Sequence, residues 1–449
     1  MKPVVIVGGG LAGLSAAVAL CARNIPVLLL EQKPTLGGRT YSFTDSATGD
    51  TVDNGQHLLI AGYERTMAFL SAIGSYDLVD IQPRPSLLFH HPSKGFRRFS
   101  VPLIPPPLNL AAAVLSSSLF SVADRMRLLR AGAALRRAER DSVRHLTVRE
   151  WLDRCGQNVE VRRCFWDLLS VSIMNETPER ASALVFIEAL RAAFLRSPRA
   201  AALAFPRTGL SEVFCVPARE FIEANGGTVG CGTEVRGLEV DGTCVRAVIA
   251  RGGERLPLAA CIVAVPPARA AALIPDWLQQ EFLALAREED SSSPIVSVHL
   301  WFERDFMDQP FVGLVGRKIQ WLFNRRRIAH SDRDDGYITA VVSAAYDLVG
   351  AGNDEIVRLT MKDVRSVFGQ SIGEPLRSLV IREKKATISL TPRTLPFRPG
   401  TKTAIQNLFL AGDWTDTGYP ATIEGAIISG ERAATHVTSS VIEMSKDDV

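Results

Sequence analysis

An α/β fold, with a parallel sheet drawn from both ends of the chain and an α+β domain inserted between them, is predicted by three observations. The chain opens on an apolar strand, a Gly-x-Gly-x-x-Gly turn and a small-residue helix. A second apolar strand then ends in an acid. Near the other terminus a third apolar strand ends in Gly-Asp, and a new helix follows shortly.

Val4-Val5-Ile6-Val7 is apolar and mostly β-branched, which suits a strand covered on both faces. In the turn that follows, Gly8 permits the tight bend, Gly10 leaves room for a pyrophosphate against the backbone, and Gly13 lets helix and strand pack closely. Free N–H groups at the helix start, from Leu11 and Ala12, favour an anion through the helix dipole. The second strand, 27–30, leads into Glu31, close to the spacing at which a carboxylate accepts hydrogen bonds from an adenosine ribose. Together these features predict a Rossmann-like domain that binds an adenine dinucleotide.

Gly37-Gly38-Arg39 adds a second flexible turn and a guanidinium whose planar fork suits phosphate oxygens. With the glycine turn and Glu31, this segment resembles the N-terminal signature of the FAD-dependent amine oxidase and carotenoid desaturase superfamily. The resemblance implies FAD rather than NAD. Asp53-Asn54-Gly55-Gln56-His57 marks a turn that runs into the apolar stretch 58–61 and then Gly62-Tyr63. In the superfamily the matching segment passes near the flavin, which implies Gly55 and Gln56 as cofactor contacts. The Gly-x-His with its apolar run is similar to plant-type carotenoid desaturases, and closer still to the hydroxysqualene dehydroxylases of bacterial hopanoid synthesis. His57 has two readings: a proton donor, or a structural histidine bonding a backbone carbonyl.

Between about 75 and 205 the βα rhythm is lost. Pro102-Leu103-Ile104-Pro105-Pro106-Pro107 reads as a rigid connector into an apolar run, 108–120. Arg125, Arg127, Arg130, Arg136, Arg137, Arg140 and Arg144 follow it. An apolar helix beside a basic one suits an anionic membrane surface, and equally a cap domain with a solvated arginine face. Helices over 148–155 and 181–194 complete a helical substrate region. Regular α/β character returns at Phe205, with a helix over 212–225, strands through Val235 and Val240 and a hairpin at Asp241-Gly242. The superfamily likeness makes Val235 an adenine contact through its backbone. Glycines 227, 230 and 232 lack the strand and helix of a second nucleotide motif. Strands over 295–302 and 337–344 with a helix over 354–368 read as a covered sheet, and Arg325-Arg326-Arg327 as an exposed turn. The expected organisation is an FAD-binding domain from 1–75, 205–290 and 385–440. Residues 76–204 form a helical substrate or cap region, with the candidate membrane contact, and 291–384 a substrate-domain sheet and helix.

At the C-terminus, the strand 407–411 ends in Gly412-Asp413, placing a carboxylate where ribityl hydroxyls can donate to it. The helix beginning near Thr422, with Ile423 and Ala426 in its first turn, points free N–H groups at the edge of a flavin that gains charge on reduction. Amine oxidases carry a tyrosine at the position of Thr422, so this residue argues against amine chemistry. The run Gly412 to Gly425 resembles the hydroxysqualene dehydroxylases most closely. That likeness implies reductive loss of an allylic hydroxyl from a C30 isoprenoid, with His57, Asp53 and Asp416 as candidate acids and His57 preferred. A carotenoid (phytoene) desaturase, running hydride in the opposite sense, is the alternative. A non-catalytic prenyl-lipid escort resembling the GDP-dissociation inhibitors is a second, opposed by the intact glycines, Glu31 and Asp413.

The 449 residues suffice for two or three domains, and a net charge of +3 is too small to imply nucleic acid. The seven cysteines include no C-x-x-C pair and suit a reducing cytoplasm. The histidines show no metal spacing, so no metal is expected. No uninterrupted apolar run reaches the roughly twenty residues of a spanning helix. The expected partners are a long-chain isoprenoid and an electron donor that the sequence does not identify, at the inner face of the cytoplasmic membrane.

Overall fold

Every side chain of the strand Val4–Val7 is buried, as the apolar run requires, and the strand lies at the centre of a five-stranded parallel sheet. The order is Thr228–Cys231, Val27–Glu31, Val4–Val7, Ala260–Val263, Leu408–Leu410. The two chain ends therefore meet one strand apart. Strand 260–263 does not extend the preceding hairpin; it enters between them, Val4 opposite Ala260 and Cys261 opposite Leu408. A computed structural model describes residues 2–275, 285 and 291–447, so most of the last fifteen residues expected in segment 205–290 lie outside the described residues.

Helix Leu11–Cys21 packs on the long C-terminal helix Ile423–Asp447 through small residues, and the Ser15 hydroxyl donates to the Ile427 carbonyl at 3.0 Å. A Cβ on Gly13 would sit 1.9 Å from the Gly8 carbonyl oxygen, so only glycine allows the turn and helix to close together. The second large element is a seven-stranded mixed sheet. Its order is Arg377–Ile388, Ser292–Phe302, Gly336–Ser343, Trp321–Asn324, Phe311–Leu314, Ser86–His91, Gly95–Ser100. One face packs Val296, Val298 and Leu300 with Ile356, Met361 and Val364 of the helix Asn353–Phe368. The other face turns toward the FAD-binding segments.

Two expectations change here. The stretch expected to be helical from residue 76 begins with strands: the hairpin 86–100 joins this sheet, Phe89 lying parallel to Gly313. Loss of the βα rhythm marked a change of sheet type, because an antiparallel hairpin closed by Pro92 to Gly95 needs no helix. The apolar run 108–120 is helical only over Leu108–Ser116 and ends in a turn, and the arginine-bearing segment is a separate helix, Val122–Arg137, started by the Ser121 hydroxyl accepting from the Asp124 N–H. Two expected helices, Val148–Arg154 and Ala183–Leu195, lie where the sequence places them, and Asp167–Met174 adds another between them. Two π-helical turns interrupt the regular pattern, Arg162–Trp166 and Ser211–Cys215, the latter at the start of the expected helix 212–225. No described helix is long and apolar enough to cross a membrane.

Candidate flavin and substrate cavity

A cavity of about 630 Å³ runs between the two large sheets. One part of it is built by the strand ends of the parallel sheet. Glu31 is fixed there by two backbone donors, the Gly9 N–H at 2.7 Å and the Lys33 N–H at 2.9 Å. A Cβ on Gly10 would meet nothing within 4 Å, so the bare backbone faces open space at the helix start. Leu11, Ala12, Gly8, Gly38 and Val235 line the same part. The Val235 carbonyl accepts from Arg269, a cavity-lining cation that the sequence reading passed over. An open anion site at a helix N-terminus with an anchored carboxylate beyond it fits an ADP moiety.

Arg39 and Asp413, expected to meet different parts of the cofactor, meet each other: Nη2 lies 2.6 Å from Oδ1, while Nη1 donates to the Ala386 carbonyl. The Asp413 loop is held from behind by Arg398, which donates to the carbonyls of Asp413 and Tyr419, both at 2.9 Å. Gly412, Thr422, Ile423 and Ala426 line the cavity where the long helix begins. Glu424 in that first turn points away and accepts from the N–H groups of Arg65 and Thr66 at the start of helix Glu64–Ala72. The C-terminal segment thereby anchors the chain that follows the 53–57 loop.

The three candidate acids separate. Gln56, Gly55 and His57 line the cavity. Asp53 does not: it is 2% exposed, accepts from the Ser42 hydroxyl at 2.8 Å and the Leu210 N–H at 3.0 Å, and pairs with Arg325 at 3.0 Å. The carboxylate is buried against these neighbours and does not line the cavity, which corrects its assignment as an acid. Asp416 is exposed, outside the cavity, and bonds the Gly418 N–H of its own turn. His57 is half-buried; its burial and the Arg39 charge push its pKa below the ordinary value, against the raising effect of Asp53.

The arginine run read as an exposed turn is largely internal. Arg325 and Arg326 are 6% and 7% exposed. Arg325 meets Asp53 and the Gln56 side-chain oxygen, both distant in sequence, and Arg326 meets the distant Asp50 together with Asp335, nine residues on. Local pattern could not reveal this, because Asp50, Asp53 and Gln56 arrive from the N-terminal part of the chain. Glu383, Tyr63 and Tyr419 also line the cavity, and burial raises the Tyr63 pKa, so its phenol keeps its proton. The far walls are apolar, among them Leu87, Phe99, Phe165, Ile173, Phe194 and Phe323, with Phe165 carried by a π-helical turn. Away from the cavity, His91, Glu160 and Cys164 lie together. The Ser93 N–H donates to His91 Nδ1, leaving Nε2–H for Glu160, and the Cys164 thiol is pushed up to about 12, so the trio satisfies itself by hydrogen bonds.

The model of the flavin-containing amine oxidoreductases matches residues 11–438. The chain belongs to this family. As a flavin-containing amine oxidoreductase it is an FAD-dependent oxidoreductase, and the cavity's anchored Glu31, bare Gly10 backbone and C-terminal helix start fit that cofactor. The family member is 32% identical to a hydroxysqualene dehydroxylase of Sinorhizobium fredii, over 96% of this chain and 97% of that one. It is 26% identical to the 15-cis-phytoene desaturase of Arabidopsis thaliana, over 95% and 78%. Its fold is shared by an oxidoreductase of Methanosarcina mazei, with a TM-score of 0.74 at 16% identity over 99% and 100% of the two chains. Putrescine oxidase bound to putrescine is similar as well, with a TM-score of 0.73 at 15% identity over 98% and 99%.

Proposed function

We propose that the enzyme converts hydroxysqualene to squalene. The observation that carries this reading is that the cavity with the FAD-binding features continues into apolar walls, and that of the three candidate acids His57 alone lines it. Likeness to hydroxysqualene dehydroxylases supports the substrate class. Hydroxide is a poor leaving group, so His57 gives a proton to the allylic oxygen, which departs as water. FAD, when reduced, supplies the hydride that replaces it. The aromatic and aliphatic walls orient the isoprenoid and exclude bulk water, and Arg325 holds the loop that carries Gln56 and His57. Purified enzyme incubated anaerobically with hydroxysqualene and dithionite should release squalene, identified by mass. Absence of squalene, with removal of two hydrogens from phytoene under oxidising conditions, would overturn the reading in favour of a desaturase.

We also infer that segment 103–126 rests on an anionic bilayer at the inner face of the cytoplasmic membrane, from which the isoprenoid enters. Leu108 and Leu115, 63% and 51% exposed, stand seven residues apart on one helix. Val122 and Met126, 73% and 58% exposed, stand four apart on the next. These spacings each put both apolar side chains on one helical face. Arg130, Arg136 and Arg137 beyond them are exposed and suit anionic headgroups. The protein should float with anionic liposomes and be released by high salt. Replacing Leu108 and Val122 with serine should weaken flotation, and a wild-type protein that stays at the bottom of the gradient removes the inference.

A further inference from the structure

The helix that lines the apolar part of the cavity has a near end and a far end. Phe165, Leu169, Ser172 and Ile173 line the cavity at positions i, i+4, i+7 and i+8, which is one face of a helix. At its C-terminal end Asn175 donates to the Thr387 hydroxyl at 2.9 Å, on strand Arg377–Ile388. The same strand meets the FAD-binding segments. Its Ala386 carbonyl accepts from Arg39 at 2.9 Å, and Asn54, on the loop that carries His57, donates to Glu383 at 3.3 Å. From Asn175 back to Phe165 the helix rises roughly 15 Å. Phe165 therefore stands at the end of the helix remote from the His57 loop.

Behind Phe165 the interior is solid aromatic packing. Its ring centre lies 5.3 Å from that of Phe99, 5.8 Å from Phe120 and 5.1 Å from Trp166, the last two edge to face. Phe99 and Phe120 close the triangle at 6.3 Å, and Trp166 packs in turn on Trp151 and Phe186. All six rings are buried, and of these Phe99 and Phe165 line the cavity. Polar bonds fix the backing. The Trp166 indole donates to Gln157 at 2.9 Å, the Gln157 amide donates to the Arg127 carbonyl at 2.8 Å, and Lys94 donates to the Leu119 carbonyl beside Phe120 at 2.6 Å. A close-packed wall of this kind resists a guest that overfills it.

We propose that Phe99 and Phe165, backed by Phe120 and Trp166, are a stop that sets the length of the isoprenoid arm reaching from the reacting carbon into the apolar cavity. The proposal rests on the substrate class and the role of His57 given above. An arm whose end abuts the two rings holds its allylic oxygen at His57. An arm one isoprene unit longer meets the rings early, and its oxygen is displaced from the proton donor. A shorter arm loses only the burial of its missing carbons, so the wall discriminates mainly against excess length.

The test compares hydroxysqualene with a homologue whose two arms are each one isoprene unit longer, so that whichever arm enters meets the stop. Wild-type FAD-loaded enzyme reduced with dithionite should process the homologue with kcat/KM lower by roughly tenfold or more. The loss should fall mainly in kcat, because the oxygen is misplaced rather than the chain unbound. Phe165→Ala frees room on the order of one isoprene unit and should bring the two substrates within about threefold of each other. Because that variant also removes core packing, Phe165→Leu and Phe120→Leu serve beside it, and each should relax the discrimination in part. Phe186→Leu, in the same aromatic core but off the cavity, should lower the melting temperature and keep the wild-type discrimination. A crystal structure of the FAD-loaded wild type with squalene should show a chain end against the rings of Phe99 and Phe165. Equal processing of the two substrates by the wild type overturns the proposal, as does undiminished discrimination in both Phe165 variants. An equal loss of discrimination in Phe186→Leu, or a squalene chain that ends elsewhere, also overturns it. Failure of the wild type to dehydroxylate hydroxysqualene counts instead against the proposed reaction, and the squalene-bound structure then decides the stop separately.

Discussion

His57→Ala is expected to keep its yellow flavin and lose dehydroxylation by roughly 10²–10⁴-fold, the usual contribution of a positioned general acid. The two groups that could have substituted for it are placed elsewhere: Asp53 is committed to Ser42, Leu210 and Arg325, and Asp416 faces solvent. The direction of the His57 shift adds a second test. Because burial and Arg39 lower its pKa, less imidazolium is present at neutral pH than for an ordinary histidine. The rate of product formation by pre-reduced enzyme should therefore rise as the pH falls, and continue rising below about 6.5, where a free histidine would level off. His57→Ala should abolish that rise. A variant that turns over normally, or a wild-type rate that falls with acidification in the same range while the fold is intact, assigns the proton to another group.

Arg325→Met is expected to cost roughly 3–5 kcal/mol of stability, because it leaves the Asp53 carboxylate buried without its countercharge. Both side chains are almost wholly enclosed, 7% and 2% exposed, so solvent offers little compensation. The urea midpoint should drop, and turnover should fall as well, since Arg325 also holds the Gln56 side chain next to His57. Asp53→Asn introduced into Arg325→Met should recover part of the loss, as a neutral amide needs no charged partner. A double-mutant cycle measures the coupling. An unchanged midpoint in Arg325→Met would mean that the pair's attraction only balances its desolvation.

Asp53 and Arg325 also show why the site was half legible. Glu31 reaches the cavity wall that its position in the sequence suggests because its geometry is local: it ends a strand beside a turn, and its donors are the nearby Gly9 and Lys33. Gly13 is read for the same reason, since the atom that excludes a side chain belongs to Gly8. Arg325 has no such neighbour. Its partner Gln56 is 269 positions away, and a run of three arginines ordinarily means a solvated turn. The hairpin 86–100 was missed because the strand beside it, Phe311–Leu314, lies far along the chain. Glu383 was missed because strand Arg377–Ile388 shows mostly half-exposed residues, with no marker of the one aimed inward.

Local motifs are enough to point to an adenine-dinucleotide site on a parallel sheet, and the family likeness narrows it to FAD. A strand, a glycine turn and a helix N-terminus make an anion site through backbone geometry, and a Gly-Asp strand end before a second helix completes it from the other terminus. Tertiary structure decided which side chains reach the chemistry. Asp53 and His57 lie four residues apart, yet packing of the mixed sheet on the parallel one buries the first against Arg325 and leaves the second at the cavity wall. That choice is made by long-range register between two sheets, where a buried charge must find its partner, and no local pattern carries it.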